Sequence, residues 1–321
     1  MIISRTPFRV SLFGGSTDYK SFYSRFGSFL IGFCLNKYAY LAIRKTPKYL
    51  PHKTLLTYST IERLNSNQDI QHSAIKGVMD YCNIQFGIEL NHFSDLPSQT
   101  GTGSSSSFIV GLLNSIYALE ERLLSKEEAA KIAIDIERNI LAEPGGIQDQ
   151  IWASHGGRNT ITINPSGSFC VKSILVDRAF KKEFINRSIL VYTGKTRKSF
   201  AIARSLGHQR TDKYKKKLLD ISQRAHDSFI SSDIDNIGIL LREAWLEKKK
   251  LSTSISSEDV DKLYRDLQSD GMIGGKLMGA GKSGFIFGIL KESKDKELIK
   301  KKYINNIDFA IDEEGSKIIN R

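Results

Sequence analysis

Three glycine-rich stretches and one arginine strand carry the residues that could do chemistry. In LPSQTGTGSSSSFIVGLLNSI, residues 96–116, a glycine-serine loop opens directly into apolar positions three and four residues apart. Backbone N–H groups at such a helix start can hold a phosphate chain, with Gly101, Thr102, Gly103, Ser104, Ser105 and Ser106 as the cradle. A serine hydroxyl there can help ligate Mg²⁺; the plainer reading is a serine-rich loop with an N-cap. Around the second stretch, EPGGIQDQIWASHGG, stand the carboxylates Glu137, Glu143 and Asp149. One could orient or deprotonate a hydroxyl and another could bind a metal that carries a nucleotide. Near the start, TPFRVSLFGGSTDY puts Arg9 on a strand and Asp18 beyond Gly14 and Gly15. Arg9 could neutralise a phosphoryl group and Asp18 could accept from substrate hydroxyls, with structural salt bridges as the alternative for both.

The third stretch, GGKLMGAGKSGFIFG, imitates two nucleotide motifs and satisfies neither. Gly281-Lys282-Ser283 ends like a P-loop, but the glycine required five positions before Gly281 is Lys276. Gly279, Gly281 and Gly284 fit a dinucleotide fingerprint, yet the loop opens into the strand GFIFGIL instead of a helix. What is left is a turn able to bring backbone close to the first anion loop. The histidines lack metal-ligand spacing, and HExxH, CxxC and the nucleophile elbow GxSxG are absent from the sequence.

These loops need elements to position them. RTPFRVSLF reads as a strand, and GSFLIGFCLNKYAYLAIRK supplies two strands around residues 28–45. A helix follows over 73–82 and a strand over 88–96. Phe108, Leu112, Ile116 and Leu119 mark a helix from Ser104, and Ser125 with Glu128 forms a capping box for the next, running to Leu141. Residues 161–176 read as strand, turn and strand, and 187–194 as a further strand. From 199 to 267 the pattern is mainly helical, with Trp245 packed; GFIFGIL is a strand and DKELIKKKY a helix. Strands and helices without a βαβ repeat give an α+β class, with the boundary between two lobes near residues 165–190.

The chain has 321 residues, enough for one large or two apposed domains, and 40% apolar content fits a globular protein. No signal segment or membrane-length apolar run occurs, so a cytoplasmic protein without membrane partners is expected. The net charge of +12 suits anionic small substrates. KYKKK (213–217), EKKK (247–250) and KDKELIKKKY fall at helical spacing and are read as solvated faces, not as a nucleic-acid surface. Cys34, Cys82 and Cys170 are expected as buried thiols.

Taken in order over nearly the whole chain, these segments resemble the GHMP family of small-molecule kinases, which includes galactokinase, homoserine kinase and mevalonate kinase. Its first motif appears as TPFRVSLFGGSTDY. Its second, Pro-x-x-x-Gly-Leu-Gly/Ser-Ser-Ser, appears as Pro97 to Ser106 with Thr102 in place of leucine, and its glycine-rich third as GAGKSG, with Lys282 and Ser283 replacing glycines. The resemblance implies a two-lobed α+β fold of mixed sheets and packed helices, with lobes over residues 1–175 and 176–321. It implies ATP and Mg²⁺ as cofactors, nucleotide phosphates over Gly101 to Ser106, and the metal at Ser105 and Glu137, Ser104 being the alternative hydroxyl. Asp149 would stand beside the acceptor hydroxyl as general base or orienting group, with Arg9 next to it. Asp18, Gly14, Gly15, Gly279, Ala280 and Gly281 would surround the substrate. Within the family, the motifs resemble kinases that act on the anomeric hydroxyl of a heptose 7-phosphate and yield the 1,7-bisphosphate for nucleotide-activated heptose. A fucose-like or galactose-like sugar 1-kinase and a catalytically silent sugar sensor are the alternatives. A distal phosphate needs cations, for which Lys195, Arg197 and Lys198 after the VYTG turn are candidates, a solvated surface cluster being the other reading. A homodimer is compatible with all of these.

Overall fold

The computed structural model describes residues 1–195 and 211–320. Its spine is β2 (Ser28–Lys45), which pairs along one edge with β1 (Ile2–Phe13). The other edge of β2 is shared out along its length. Ser28 to Phe33 meet β6 (Arg158–Ile163), Cys34 and Leu35 meet β11 (Ile311–Asp312), and Ala39 to Lys45 meet β5 (Ile88–Ser94). The sequence reading expected two strands here. A single 18-residue strand forms because nothing in LNKYAY turns the chain, and because the midpoint is tied, Asn36 N–H donating to the Ala310 carbonyl at 2.9 Å.

Among the described residues this sheet has nine strands. β7 (Phe169–Ser173) pairs with β6, β3 (Thr54–Thr57) runs parallel to β5 with β4 (Ile61–Leu64) beyond it, and β12 (Lys317–Asn320) pairs with β1. Residues 311–320 therefore belong to the sheet that residues 2–13 begin. A second sheet has the antiparallel order β8 (Ser188–Tyr192), β10 (Phe285–Leu290), β9 (Met272–Leu277). The α+β, two-lobed expectation holds.

Helices cover the sheets. Those of the first part are α1 (Lys20–Phe26), α2 (Ser73–Tyr81), α3 (Ser104–Leu119), α4 (Lys126–Asp135) and α5 (Gln148–His155). Next come α6 (Arg178–Asn186), α7 (Asp212–Ile230), α8 (Ile234–Lys249), α9 (Glu258–Ser269) and α10 (Asp295–Lys302). The expected capping box opens α4, Ser125 Oγ accepting from Glu128 N–H at 3.2 Å and Glu128 Oε2 from Ser125 N–H at 2.8 Å. One core runs through both lobes. Phe8, Val10 and Leu12 of β1 and Phe33 of β2 share it with Phe287 of β10 and Trp245 of α8. Each such fully buried side chain is worth about 1.5–3 kcal/mol, so the lobes are held by packing as well as by the chain.

Two expectations about side chains need correction. The lysine runs are not wholly solvated: Lys215 and Lys248 are buried. Lys248 lies four residues after Ala244 and seven after Leu241, the inward stripe of α8, and Lys215 lies three before Leu218 on that of α7. Cys170 is exposed, because β7 is an outer strand with one face in water, whereas Cys34 is buried and Cys82 half-buried; all three thiols are free.

Candidate active site

Arg9 joins three segments at one point. Its backbone N–H donates to the Thr102 carbonyl at 3.0 Å, and its Nη1 donates to the Gly101 carbonyl at 2.5 Å. Nε and Nη2 grip Asp149 Oδ1 and Oδ2 at 2.8 and 2.6 Å. A two-pronged guanidinium–carboxylate pair fixes orientation as well as distance. Arg9 is 5% exposed and the Asp149 side chain 26%, so the rigid partner is inside and the carboxylate edge faces the cleft.

Glu137 lines the same cleft. After α4 the helix widens into a π turn over Ile136–Ile140, which carries Glu137 and Arg138. Such turns stand out from regular helix by aiming side chains at sites. Arg138 Nη2 donates to Glu137 Oε2 at 2.6 Å and its Nη1 to the Glu143 carbonyl at 2.6 Å, clamping the turn to the EPGG loop. Glu137 Oε1 is buried with no hydrogen-bond partner among the described residues. Burial pushes its carboxyl up to about 7; the Arg138 guanidinium and the nearby Ser106 hydroxyl pull it back, and Glu143 and Asp149 add to the rise. Burial raises Glu143 too, against Arg138.

Asp18 closes the inner corner. Its carboxylate accepts from Ser16 N–H at 3.1 Å and Gln148 N–H at 3.2 Å. Burial, then the neighbouring Asp149, raise its pKa above the usual range against these hydrogen bonds. Only glycine fits opposite: a Cβ at Gly146 would stand 1.7 Å from Asp18 Oδ2. From the second lobe, Lys248 Nζ donates to the Gly279 carbonyl at 2.5 Å and the Leu277 carbonyl at 3.2 Å, and Lys276 Nζ to the Leu12 carbonyl at 2.9 Å. Burial lowers both, Lys248 to about 7 and Lys276 well below the lysine range. The two lobes meet at Gly101 and Gly279, where a Cβ on Gly279 would lie 2.3 Å from Gly101 Cα.

Arg9, Asp18, Gly101, Glu137, Arg138, Glu143, Gln148, Asp149, Lys248, Lys276 and Gly279 line one open cleft of about 230 Å³. It brings a helix start with free N–H groups, an unpartnered carboxylate oxygen and an arginine-held carboxylate within reach of one ligand. That set suits a polyphosphate and a hydroxyl compound reacting side by side.

Comparison with known proteins agrees. Residues 70–157 match the model of the GHMP kinases N terminal domain, and residues 225–307 that of the GHMP kinases C terminal. This chain is a GHMP kinase. It is 25% identical to a D-glycero-alpha-D-manno-heptose 7-phosphate kinase of Campylobacter jejuni, over 98% of each chain. A galactokinase of Thermotoga neapolitana is 23% identical over 93% of each. The fold matches the crystal structure of a D-glycero-D-manno-heptose 1-phosphate kinase from Bacteroides thetaiotaomicron with a TM-score of 0.83, at 22% identity, covering 100% of this chain and 99% of that one. As a GHMP kinase it is an ATP-dependent phosphotransferase acting on a sugar or other small molecule, and the family uses ATP with Mg²⁺. No helix among the described residues is long and apolar enough to cross a membrane.

Of the residues expected in this kinase's site, Arg9, Gly15, Asp18, Gly101, Gly103, Ser104, Ser105, Ser106, Glu137, Asp149, Gly279 and Ala280 line the cleft. Gly14, Thr102, Gly281 and Lys195 do not. Gly14 packs on the Phe29 carbonyl and Gly281 on Ile255. The Thr102 hydroxyl is buried 3.2 Å from Thr100 Oγ1, so it needs no apolar anchor. Lys195 pairs with exposed Asp259, while Arg197 and Lys198 lie outside the described residues. Lys282 holds φ +64°, a left-handed backbone that glycine would adopt more cheaply. Sequence reasoning missed Arg138, Lys248, Lys276, Ser11 and Gln148. Helical spacing marks Lys248 as inward; nothing local marks the rest.

No group of three or more His, Cys, Asp or Glu side chains among the described residues could hold a metal ion. Mg²⁺ in nucleotide sites needs no such cage, being held by one or two protein oxygens and the substrate phosphates. The orphaned Glu137 Oε1 fits that role, beside the hydroxyls of the serine tract.

Proposed function

We propose that this GHMP kinase transfers the γ-phosphoryl group of ATP to the anomeric hydroxyl of D-glycero-D-manno-heptose 7-phosphate. The product is the 1,7-bisphosphate, a precursor of nucleotide-activated heptose for cell-surface polysaccharide. The Arg9–Asp149 pair carries the reading. It sits between the Gly101 loop and the Asp18 corner of one cleft, in a chain similar along its length to a heptose 7-phosphate kinase.

The helix start at Ser104 and the loop before it hold the phosphate chain through backbone N–H groups. Asp18 accepts from a sugar hydroxyl and sets the ring. Asp149, fixed by Arg9, orients the anomeric hydroxyl. As the new O–P bond forms and the bond to the β-phosphate oxygen breaks, the hydroxyl proton passes to Asp149 or to solvent, and ADP leaves. Arg9 stabilises charge on the transferring group. Glu137, with Ser105 or, as the alternative hydroxyl, Ser104, would hold Mg²⁺, which neutralises phosphate charge when bound.

The Glu137 carboxyl gives this assignment a pH signature. Its folded pKa lies above the unfolded value, so the protonated form suits the free fold, and stability falls as pH rises through about 7. E137Q is therefore expected to be more stable than the wild type at pH 8, by about 2–4 kcal/mol from the size of the shift, with the gap closing by pH 5. Turnover of the same variant should be lost. A stability gap independent of pH in thermal melts would remove Glu137 as the ionisable metal ligand.

ADP release with MgATP, across heptose 7-phosphate, heptose, fucose, galactose and mannose, tests the substrate, with the product's phosphate located by NMR. Turnover confined to heptose 7-phosphate is the expected result. Lys195, Arg197 and Lys198 are the proposed distal-phosphate cations, and their neutralisation should weaken that sugar far more than ATP. One observation favours a fucose-like or galactose-like sugar 1-kinase instead: Lys195 does not line the cleft. A preference for a free sugar in the panel would select that reading, and silence on every sugar would favour a sensor.

A further inference from the structure

Beside Asp18 the cleft ends in a floor that the phosphoryl-transfer chemistry does not use. Ser11 of β1, Gln148 of α5 and Lys276 of β9 meet around Gly15: from a Cβ built there, Ser11 Oγ would be 3.3 Å away, Gln148 Nε2 3.8 Å and Lys276 Nζ 4.0 Å. Gly15 thus keeps open a gap that three polar side chains face. All three line the cleft and are at least nine-tenths buried, at 6%, 8% and 5% exposure. Ser11 Oγ and Gln148 Oε1 are buried without a hydrogen-bond partner among the described residues. Buried polar atoms are seldom left so, and an unmade hydrogen bond is costly, which marks the gap as built for a polar ligand.

The donor and acceptor balance says which polar group. A phosphate offers only acceptors. It would stand beside the buried Asp18 carboxylate, which accepts from the Gln148 N–H at 3.2 Å, and two anions there would repel. A hydroxyl both donates and accepts: its lone pairs can take the N–H groups of Gln148 Nε2 and Lys276 Nζ, the atoms that face the gap, while its proton goes to Ser11 Oγ. Burial, with Lys248 and Arg9 nearby, also drives Lys276 toward its uncharged form, which suits a neutral hydroxyl better than a dianion.

Resting on the reading of this cleft as a sugar kinase site, we propose that Ser11, Gln148 and Lys276 form a hydroxyl-reading floor that selects the substrate by one ring hydroxyl and excludes its distal phosphate. Asp18 reads the neighbouring hydroxyl, so the floor recognises a vicinal diol. The phosphate-bearing end of the sugar must then leave toward the mouth of the cleft.

The test compares heptose 7-phosphate with its 2-, 3- and 4-deoxy analogues in the wild type and in Q148L, K276M and S11A, all first checked for unchanged folding by thermal melts. In the wild type, one analogue is expected to lose about 10²-fold or more in kcat/KM, since a site built for a hydroxyl leaves its own groups unpaired without one. Q148L and K276M should lose a comparable factor on the parent sugar, yet lose little further on that analogue, with KM for ATP nearly unmoved. Undiminished discrimination in all three variants overturns the floor. So does a K276M enzyme that specifically loses its preference for heptose 7-phosphate over heptose, because that is the behaviour of a phosphate site. If the wild type prefers another sugar, the substrate assignment fails while the same comparison with that sugar's deoxy derivatives still decides the floor. If it phosphorylates nothing, a sugar-induced rise in melting temperature that Q148L abolishes supports the floor, and no rise in the wild type overturns it.

Discussion

Replacing Asp149 with alanine is expected to lower kcat by about 10²–10⁴-fold, the range for a positioned acid–base group, while ATP still binds. The separation follows from geometry. Asp149 contacts Arg9 alone among the cleft's cations, and Arg9 reaches the nucleotide loop by separate bonds, through its own N–H to the Thr102 carbonyl and Nη1 to the Gly101 carbonyl. Those two bonds survive in D149A, so the loop keeps its place. D149N, which retains the shape but offers a donor toward the guanidinium, should fall with it. Calorimetric titration with ATP beside steady-state turnover gives the answer. If ATP binding collapses in step with turnover, the pair is a brace for the phosphate loop and not the group that handles the acceptor hydroxyl.

The second large effect is expected at the seam between lobes. Gly101 holds φ +78° and Gly279 φ +69°, and a Cβ on Gly101 would come within 2.5 Å of the Met278 carbonyl oxygen. G101A and G279A each force an L-residue into the left-handed region, at about 1–2 kcal/mol. Each also wedges a methyl group into backbone, at about 1–3 kcal/mol more. Together these predict a drop of about 4–10 °C in melting temperature. Turnover should fall further than stability suggests, because the displaced backbone carries the phosphate cradle on one side and the Lys248-bound loop on the other. Alanine variants that melt and turn over like the wild type would mean that the loops do not touch.

Much of this site was legible because loops announce themselves locally. Gly101 to Ser106 had to precede a helix, and Ser125 with Glu128 had to start one, since both patterns depend on neighbours three or four residues away. The clamp on Glu137 was not legible, because Arg138 acts through a π turn whose widening no residue of IERNI declares. Lys276 was seen only as the residue that spoils a P-loop; its position in the site depends on its Nζ reaching the Leu12 carbonyl of β1, more than 260 residues away in sequence. The long β2 was misread for a related reason. Its continuity is enforced by β11, a partner contributed by the far end of the chain.

That partner has a consequence for how the enzyme is made. The buried Asp312 accepts from Tyr38 Oη at 3.0 Å and from Gly315 N–H at 2.7 Å, and its carbonyl takes the Gly157 N–H at 2.7 Å, stitching the last strands to β2 and to the end of α5. During synthesis, the sheet that carries Arg9 stays open at one edge and at its centre until residue 320 has left the ribosome. The nascent first lobe must wait with an unpaired edge, and a transcript that stops at residue 310 would yield every residue proposed for catalysis but no finished platform to stand them on.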